Sequence, residues 1–405
     1  MSDHPSRIGY AQTLQIIQQV AVERRLPSER LSIRRADGRV LAQDLLAPIA
    51  LPAFDNSRMD GFALRHADLA LAGETRLAIA GEQFAGPALE FALQPGQCVR
   101  ITTGAPIPLG TDTVVIKENV LEQDGGIVVA AGVAMGADIR RAGEDVQVGD
   151  LVLQVGQRLT APRISLAAAL GVADLEVAVR PTVAVFTTGD ELQEPGMSLA
   201  PGQVYNSNRE LLMGLLRAEG LEPVAWPTLP DDPARIASVL RDAAAAFDLI
   251  LTCGGVSAGE KDHLPALLAD QGSIHFWKVQ MKPGMPLLLG TLDRALVLGL
   301  PGNPVSVLAT FLTLGRELLG GLQGAKEAHA SRYARLAAPW RKSHARLEFL
   351  RGRLQHGDDA VLRVIPNLAD ASHRLRAAAE SDALILLPEG EHDYALDELV
   401  QVIGY

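Results

Sequence analysis

At 405 residues the chain is longer than one ordinary domain, and 48% hydrophobic residues can supply several cores. A formal net charge of -11 excludes general electrostatic binding of nucleic acid or membrane surfaces, while leaving room for a local basic pocket facing an anionic small molecule. Cys98 and Cys253 are too few for a disulfide framework or a cysteine-rich metal centre.

Residues 1–19 lack a basic segment followed by an apolar one, so no secretory signal is expected. Leu14, Ile17, Val20 and Ala21 recur at helical spacing and predict an amphipathic helix over 10–25. A mixed, extended stretch runs on to about residue 50. The run Pro52-Ala53-Phe54-Asp55-Asn56-Ser57-Arg58-Met59-Asp60-Gly61-Phe62-Ala63 then packs turn formers and acids into a short loop, with Phe54, Met59 and Phe62 as expected anchors. Short alternating runs at 77–80, 97–102, 113–118 and 126–130 predict a β-rich domain over 53–145. It closes on Arg140-Arg141-Ala142-Gly143-Glu144-Asp145, which reads either as a surface salt bridge or as an anion clamp beside a metal-binding carboxylate. Residues 146–180 return to the mixed character of 1–52, with one helix at 162–170. The apolar stretch 164–188 is broken by Asp174, Glu176, Arg180 and Pro181, so no membrane span is expected and the reading is a cytoplasmic protein.

From Pro181 the period changes. Strands at 183–186, 223–226, 248–252, 276–279, 287–289 and 295–300 alternate with helices at 208–219, 233–247 and 263–269. That pattern predicts βαβ units and a mostly parallel sheet over 181–327. Asp232 is the expected N-cap, and Pro233 the first residue, of the second helix. The stretch Val297-Leu298-Gly299-Leu300-Pro301-Gly302-Asn303-Pro304-Val305-Ser306 reads as a buried strand, a tight turn and a helix start, with Asn303 at the N-cap position and Pro304 at the first helical position. Such a turn can present free N–H groups to an anion. From 328 to the end, short strands at 346–354, 360–365, 383–387 and 398–403 predict a small β-barrel or sandwich.

The strand-end loops of the α/β part bring glycines together with Asp190, Glu191, Asp231, Asp232, Glu260, Asp262, Ser257, Lys278 and Lys282. Neither a P-loop nor a dinucleotide fingerprint is present. Glycines let backbone N–H groups approach phosphate, and lysines add point charge. Carboxylates among phosphate-binding groups repel the ligand unless a divalent cation lies between them, and Mg²⁺ suits a few carboxylates plus phosphate oxygens. The residues alone therefore point to an enzyme handling a phosphorylated ligand with Mg²⁺.

The chain resembles the molybdopterin molybdenumtransferase family, which includes bacterial MoeA and the C-terminal domain of gephyrin. The resemblance rests on Phe54-Asp55-Asn56-Ser57-x-Met59-Asp60-Gly61-Phe62-Ala63, Thr103-Gly104-Ala105, Arg141-x-Gly143-Glu144-Asp145, Thr188-Gly189-Asp190-Glu191-Leu192, Gly254-Gly255-Val256-Ser257-x-Gly259-x-x-Asp262, Lys282-Pro283-Gly284 and Leu300-Pro301-Gly302-Asn303-Pro304-Val305-Ser306. It implies four parts: a discontinuous extended domain (1–52 and 146–180), a β-rich domain (53–145), a MogA-like α/β domain (181–327) and a C-terminal β-barrel (328–405). It implies conversion of adenylylated molybdopterin and molybdate to molybdenum cofactor and AMP. By motif it implies functional roles for Asp60, Thr103, Arg140, Asp145, Glu191, Asp231, Asp262, Lys278, Lys282, Pro301, Pro304 and Ser372, with Asp60, Asp231 and Asp262 toward the cation; Ser257 and Asn303 join the ligand-binding set. It also implies a homodimer with a composite site, a MogA-type adenylyltransferase partner and recipient molybdoenzymes. Arg58 stands where a small residue is usual, and Met285 where a lysine is common. A non-catalytic scaffold on the same fold remains an alternative class, and the sequence does not separate molybdate from tungstate.

Overall fold

The computed structural model describes residues 6–90, 93–256, 262–327, 332–371 and 373–405. It contains the expected four-part architecture. The first helix, Tyr10–Glu23, buries Ile17, Val20 and Ala21. These residues join one core with Val183, Leu296 and Leu318 of the α/β part. The preceding strand Ser6–Ile8 pairs in parallel with Gly272–Val279 and forms the edge of the α/β sheet. The expected placement of all of 1–52 in the extended domain therefore does not hold for residues 6–23: their apolar stripe is covered by the α/β core. The extended part proper is built from Ser28–Ser32 paired with Asp174–Ala178, Leu45–Leu46 paired with Leu151–Leu153, and the helix Ala161–Ala169. Leu41, Leu153, Leu159, Leu175 and Val177 form its core.

The β-rich part is a six-stranded sheet with Phe62, Leu64, Leu77, Cys98 and Ile127 in its core. Burial pushes the Cys98 thiol up to about 12, which leaves it inert. One strand, Val120–Gln123, escaped the sequence reading because Leu121 and Glu122 face solvent and break the alternation. The signal that could have found it is the Asp124-Gly125 hairpin turn, where both residues have positive φ (52° and 75°). The 52–63 segment also holds more order than a loop: Asn56–Ser57 pairs with Ile139–Arg140, and Gly61–Leu64 is a central strand.

Seven strands make the α/β sheet, in the order Ser6–Ile8, Gly272–Val279, Leu288–Leu292, Ala295–Leu300, Leu249–Cys253, Val183–Thr187, Val224–Ala225. Pairing is parallel except on the two sides of Leu288–Leu292. The strands Val183–Thr187, Leu249–Cys253 and Ala295–Leu300 are buried at every position, because helices cover both faces. Asp232 caps the helix Pro233–Ala246 as expected, accepting the N–H groups of Ala234 and Arg235. The helical run Pro304–Leu322 is long and apolar enough to cross a membrane by length and composition, yet 78% of its 18-residue apolar window is buried within the fold. The apolar stretch 164–188, where no span is expected, contributes a helix and two strands.

The C-terminal part is a closed barrel rather than a sandwich. Arg332–Leu336, Leu362–Pro366, Leu347–His356, Ala383–Leu387 and Leu399–Gly404 pair in a ring, because Leu347–His356 bonds both Leu362–Pro366 and Ala383–Leu387. The short strand Met281–Lys282 adds to it in parallel.

Gly299 packs where three elements meet. A Cβ there would lie 2.4 Å from Val256 Cγ1 and 2.8 Å from Leu264 Cδ2. Gly299→Ala is expected to destabilise the α/β part by about 1–3 kcal/mol, the usual cost of overpacking a filled core. Urea unfolding followed by the fluorescence of Trp226 and Trp277 measures this; an unchanged midpoint would show that the packing relaxes freely.

Candidate active site

Three adjacent parallel strands end at one edge of the α/β sheet, at Thr187, Cys253 and Leu300. The turns that follow are tied to each other. Thr188 N–H donates to the Cys253 carbonyl (3.2 Å), Gly254 N–H to the Leu300 carbonyl (3.2 Å), and the Asn208 amide to the Gly302 carbonyl (2.7 Å). Gly254 and Gly255 have φ of +93° and +69°, and a Cβ on Gly254 would lie 2.9 Å from Thr188 Oγ1. Only glycine suits both demands. Asp231 enters the same edge: its N–H donates to Asp190 Oδ1 (3.1 Å), beside the Thr188–Leu229 bridge. Glu191 is exposed there, and Asp262 stands two residues before the helix Leu264–Gln271. Pro301 is buried, and Pro304 opens the helical run. Asn303 occupies the N-cap position, but its side chain makes no capping bond, unlike the capping expected of it.

Lys278 reaches this edge by topology. Its strand runs antiparallel to Leu288–Leu292, which runs antiparallel to Ala295–Leu300, so Lys278 and Leu300 sit at the same end of the sheet. Its ammonium lies 4.3 Å from the Trp277 ring centroid, and the Trp277 indole donates to the Val256 carbonyl (2.8 Å). The lysine is thereby held against the 254–256 turn. Lys282 lies on the strand that joins the barrel. Its Nζ is 2.9 Å from Glu348 Oε1 and 3.3 Å from Asp370 Oδ2. Burial pushes this ammonium's pKa down, and the two carboxylates more than offset that, so it stays charged. Ser257 and Ser372 lie outside the described residues.

A second cluster forms in the β-rich part. Asp60 Oδ1 accepts the N–H and the hydroxyl of Thr103, both at 2.8 Å, and Lys117 Nζ stands 3.7 Å from Oδ2. These donors hold the Asp60 carboxyl below its ordinary range, the Thr103 N–H contributing most. Asp55 Oδ1 accepts the Ala142 N–H (2.8 Å) and Oδ2 pairs with Arg141 (2.6 Å), so Asp55 too is held low. Of the two arginines in the 140–141 pair, Arg141 is thus the structural one. Arg140 makes no ion pair among the described residues, and Asp145 is exposed at the base of the same loop. The expected anchoring of the 52–63 loop by three apolar side chains holds only for Phe62: Phe54 and Met59 are 48% and 42% exposed. Polar ties do the anchoring instead, through Asp55 and through Ser57, whose N–H and C=O bond Ala105 and Gly104.

Three family models match the chain: the MoeA N-terminal region (domain I and II) over residues 8–171, a probable molybdopterin binding domain over 184–320, and the MoeA C-terminal region (domain IV) over 333–405. A molybdopterin molybdenumtransferase of Haemophilus influenzae is 38% identical over 93% of this chain and 93% of its own length. Molybdopterin molybdenumtransferase 2 of Mycobacterium tuberculosis is 38% identical over 91% of this chain and 93% of its own. The crystal structure of a molybdopterin biosynthesis MoeA protein from Pyrococcus horikoshii superposes with a TM-score of 0.84 at 28% identity, covering 98% of this chain and 100% of that one. The chain belongs to the molybdopterin molybdenumtransferase family.

In this family member the site residues expected from the sequence fall into two groups. Glu191, Asp231, Asp262, Lys278, Pro301, Asn303 and Pro304 gather at the α/β strand ends, with Lys282 at the junction with the barrel; Asp60, Thr103, Arg140 and Asp145 gather in the β-rich part. Among the described residues no hydrogen bond or ion pair joins the groups, and no three His, Cys, Asp or Glu side chains are arranged to hold a metal ion. Asp60 is therefore not brought into a three-carboxylate set with Asp231 and Asp262 within one chain. The sequence reading does not single out Arg351, a buried guanidinium whose Nη2 donates to the carbonyls of Ala369 and Ala371 and whose Nε and Nη1 have no hydrogen-bond partner among the described residues. Its strand, Leu347–His356, also carries Glu348, Arg353, Gln355 and His356, so no signal in the sequence sets Arg351 apart.

Thr103→Val removes one of the two donors that Thr103 gives Asp60 and keeps the other. Because donors to the charged form lower a carboxyl pKa, the Asp60 pKa is expected to rise toward its ordinary value without reaching it. Titration of the Asp60 carboxyl ¹³C resonance reads the shift. No change would mean that the hydroxyl does not contribute.

Proposed function

We propose that this chain inserts molybdenum from molybdate into adenylylated molybdopterin and releases AMP. The carrying observation is the joining of three glycine-rich turns at the ends of adjacent parallel strands, with Lys278 held beside them. Ligands of open α/β sheets bind at this edge. The backbone N–H groups of Gly255 and Gly302 donate to the phosphates, and Lys278 and Lys282 neutralise them. The family to which the chain belongs supports the same reading, as do the molybdopterin molybdenumtransferases to which it is similar.

The donor set fits Mg²⁺ in the manner of a phosphate-bridged ion. That ion asks for one or two carboxylates and fills its remaining positions with water and phosphate oxygens, so the absence of a three-carboxylate cluster among the described residues is no obstacle. Asp231 and Asp262 are the residues to hold it, with Asp60 turned toward the same ligand. When bound, the ion supplies Lewis-acid polarisation of the phosphoanhydride. The chain's own part is to fix the phosphates against the turns and to supply carboxylates that orient the cation and molybdate. A MogA-type adenylyltransferase supplies the substrate in this reading, and molybdoenzymes take the product. Asp262→Asn should abolish AMP release from adenylylated molybdopterin in the presence of molybdate and Mg²⁺, with a thermal midpoint near that of wild type. EDTA should do the same to wild type. Full activity in either case would sink the assignment.

The two residue groups imply a shared site in a two-fold dimer, in which the β-rich part of one protomer meets the strand ends of its partner. Most soluble oligomers are two-fold dimers, so one symmetry operation completes both sites. Asp60→Ala and Asp262→Ala, each inactive alone, should complement when refolded together. Random pairing makes half the dimers mixed and half the sites in those intact, so about a quarter of wild-type activity is expected. Mixed dimers verified by mass but devoid of activity would place each site within one chain.

A further inference from the structure

We infer that Glu348 is a positioning residue for Lys282, and that Asp370 is the exchangeable counter-ion that an incoming phosphate displaces. The inference rests on the proposed role of Lys282 as a ligand-binding group. Lys282 and Glu348 are register partners across the parallel strands Met281–Lys282 and Leu347–His356, so the backbone itself sets them side by side. Lys282 Nζ lies 2.9 Å from Glu348 Oε1 and 3.3 Å from Asp370 Oδ2. The two carboxylates differ in one respect: the Glu348 side chain is 3% exposed and that of Asp370 is 43% exposed.

On the other side of Glu348, its Oε2 lies 3.3 Å from His344 Nε2 without hydrogen-bond geometry, and buried Lys342, which donates to the His344 and Gly390 carbonyls, brings a positive charge near besides that of Lys282. A carboxylate so deeply buried survives only with its charge matched, and removing a partner from such a set is costly. Glu348 therefore cannot leave Lys282 without leaving its own charge stranded. Asp370 can leave, because water solvates it at no such cost. A phosphate oxygen offers Lys282 the same kind of charge-assisted bond that Asp370 makes. The lysine then keeps its place and its charge through Glu348 while its outer partner changes. The loop bearing Asp370 is fixed from below, since the Arg351 guanidinium donates to the carbonyls of Ala369 and Ala371 and the Ala369 N–H donates to Asn367. The exchange thus asks for a rotation of one exposed side chain and no loop movement.

Opposite signs are expected for the two carboxylates, which a merely structural role for both would not produce. Equilibrium binding of adenylylated molybdopterin, without molybdate, is measured for wild type, Lys282→Met, Glu348→Gln, Glu348→Asp and Asp370→Asn, each with its thermal midpoint. Lys282→Met and Glu348→Gln should each weaken binding by about tenfold or more, the scale of one lost charge-assisted bond. Glu348→Asp, which keeps the charge on a shorter arm, should recover part of the loss. Asp370→Asn should tighten binding several-fold, because the ligand no longer competes with a carboxylate. That variant changes an exposed side chain and carries the test even if Glu348→Gln does not fold. Weaker or unchanged binding in Asp370→Asn, or wild-type binding in Glu348→Gln beside weak binding in Lys282→Met, overturns the inference alone. Wild-type binding in Lys282→Met overturns the role of that lysine in the proposed function, and this inference with it.

Discussion

No side chain fits at residue 254, and the strand-end site is built around that restriction. The turn after Leu249–Cys253 passes between the ends of its two parallel neighbours. Thr188 bonds the last carbonyl of the strand, and Gly254 bonds the Leu300 carbonyl on the far side. With positive φ and Thr188 within 3.0 Å of any added Cβ, the turn closes only as glycine. This close approach draws three strand ends together and ties their turns to one another through backbone bonds. Trp277, bonded to Val256, fixes the near side of the same turn and gives Lys278 a ring to lie against. The anion binding proposed for this edge rests on backbone and packing, and a local attraction of that kind is compatible with a net charge of -11 for the whole chain.

Sequence patterning reached this part of the molecule well because the buried parallel strands are continuous apolar runs and the helices between them are amphipathic. Asp232 was legible as a cap, since an acid followed by proline at a helix start has one ready explanation. The β-rich part was less legible. Its strand Val120–Gln123 lies on an edge with one face in solvent, where alternation carries no weight. The N-terminal helix was correct as a helix and misplaced as to its domain. Periodicity gives the apolar stripe of 10–23 but not the surface that covers it, and that surface is a helix some 300 positions later in the chain, Arg316–Leu322. The closeness of Ala21 to Gly321, where an added Cβ would meet the alanine methyl at 2.6 Å, is invisible before the fold is known.

Site residues followed the same division. Motif spacing singled out Asp60, Asp231 and Asp262, which the structure places in short loops. It missed groups whose importance comes from company. Glu348 looks like an ordinary polar position in a barrel strand until Lys282 is set beside it by pairing. Arg351 looks like a surface arginine until its burial leaves two of its nitrogens without hydrogen-bond partners among the described residues. Phe54 and Met59 erred in the opposite direction, for apolar side chains in a loop invite the assumption of burial, whereas charge pairs hold this loop.

The two halves of the site are held with different rigidity. The barrel and the α/β part share a core: Leu347, Phe349, Ala378 and Leu384 are buried with Leu289, Leu308 and Leu319, and the Tyr10 ring lies 5.4 Å from that of Phe349. Arg316 adds a half-buried pair to Glu219 (2.6 Å) and a bond to the Gly404 carbonyl (3.3 Å). Lys282 consequently sits at a junction that cannot open without exposing apolar surface, at roughly 25 cal/mol per Å². The β-rich part has no such tie among the described residues. Its chain enters at Pro52 and leaves at Asp145 through a two-stranded neck, where Leu51 exchanges bonds with Val146 and also accepts the Asp145 N–H. A neck of this kind fixes Asp145 and Asp60 relative to each other and leaves their distance from the strand ends to whatever surface packs beside them. In the two-fold assembly proposed above that surface would belong to the partner, and the dimer contact would set the spacing between the two groups.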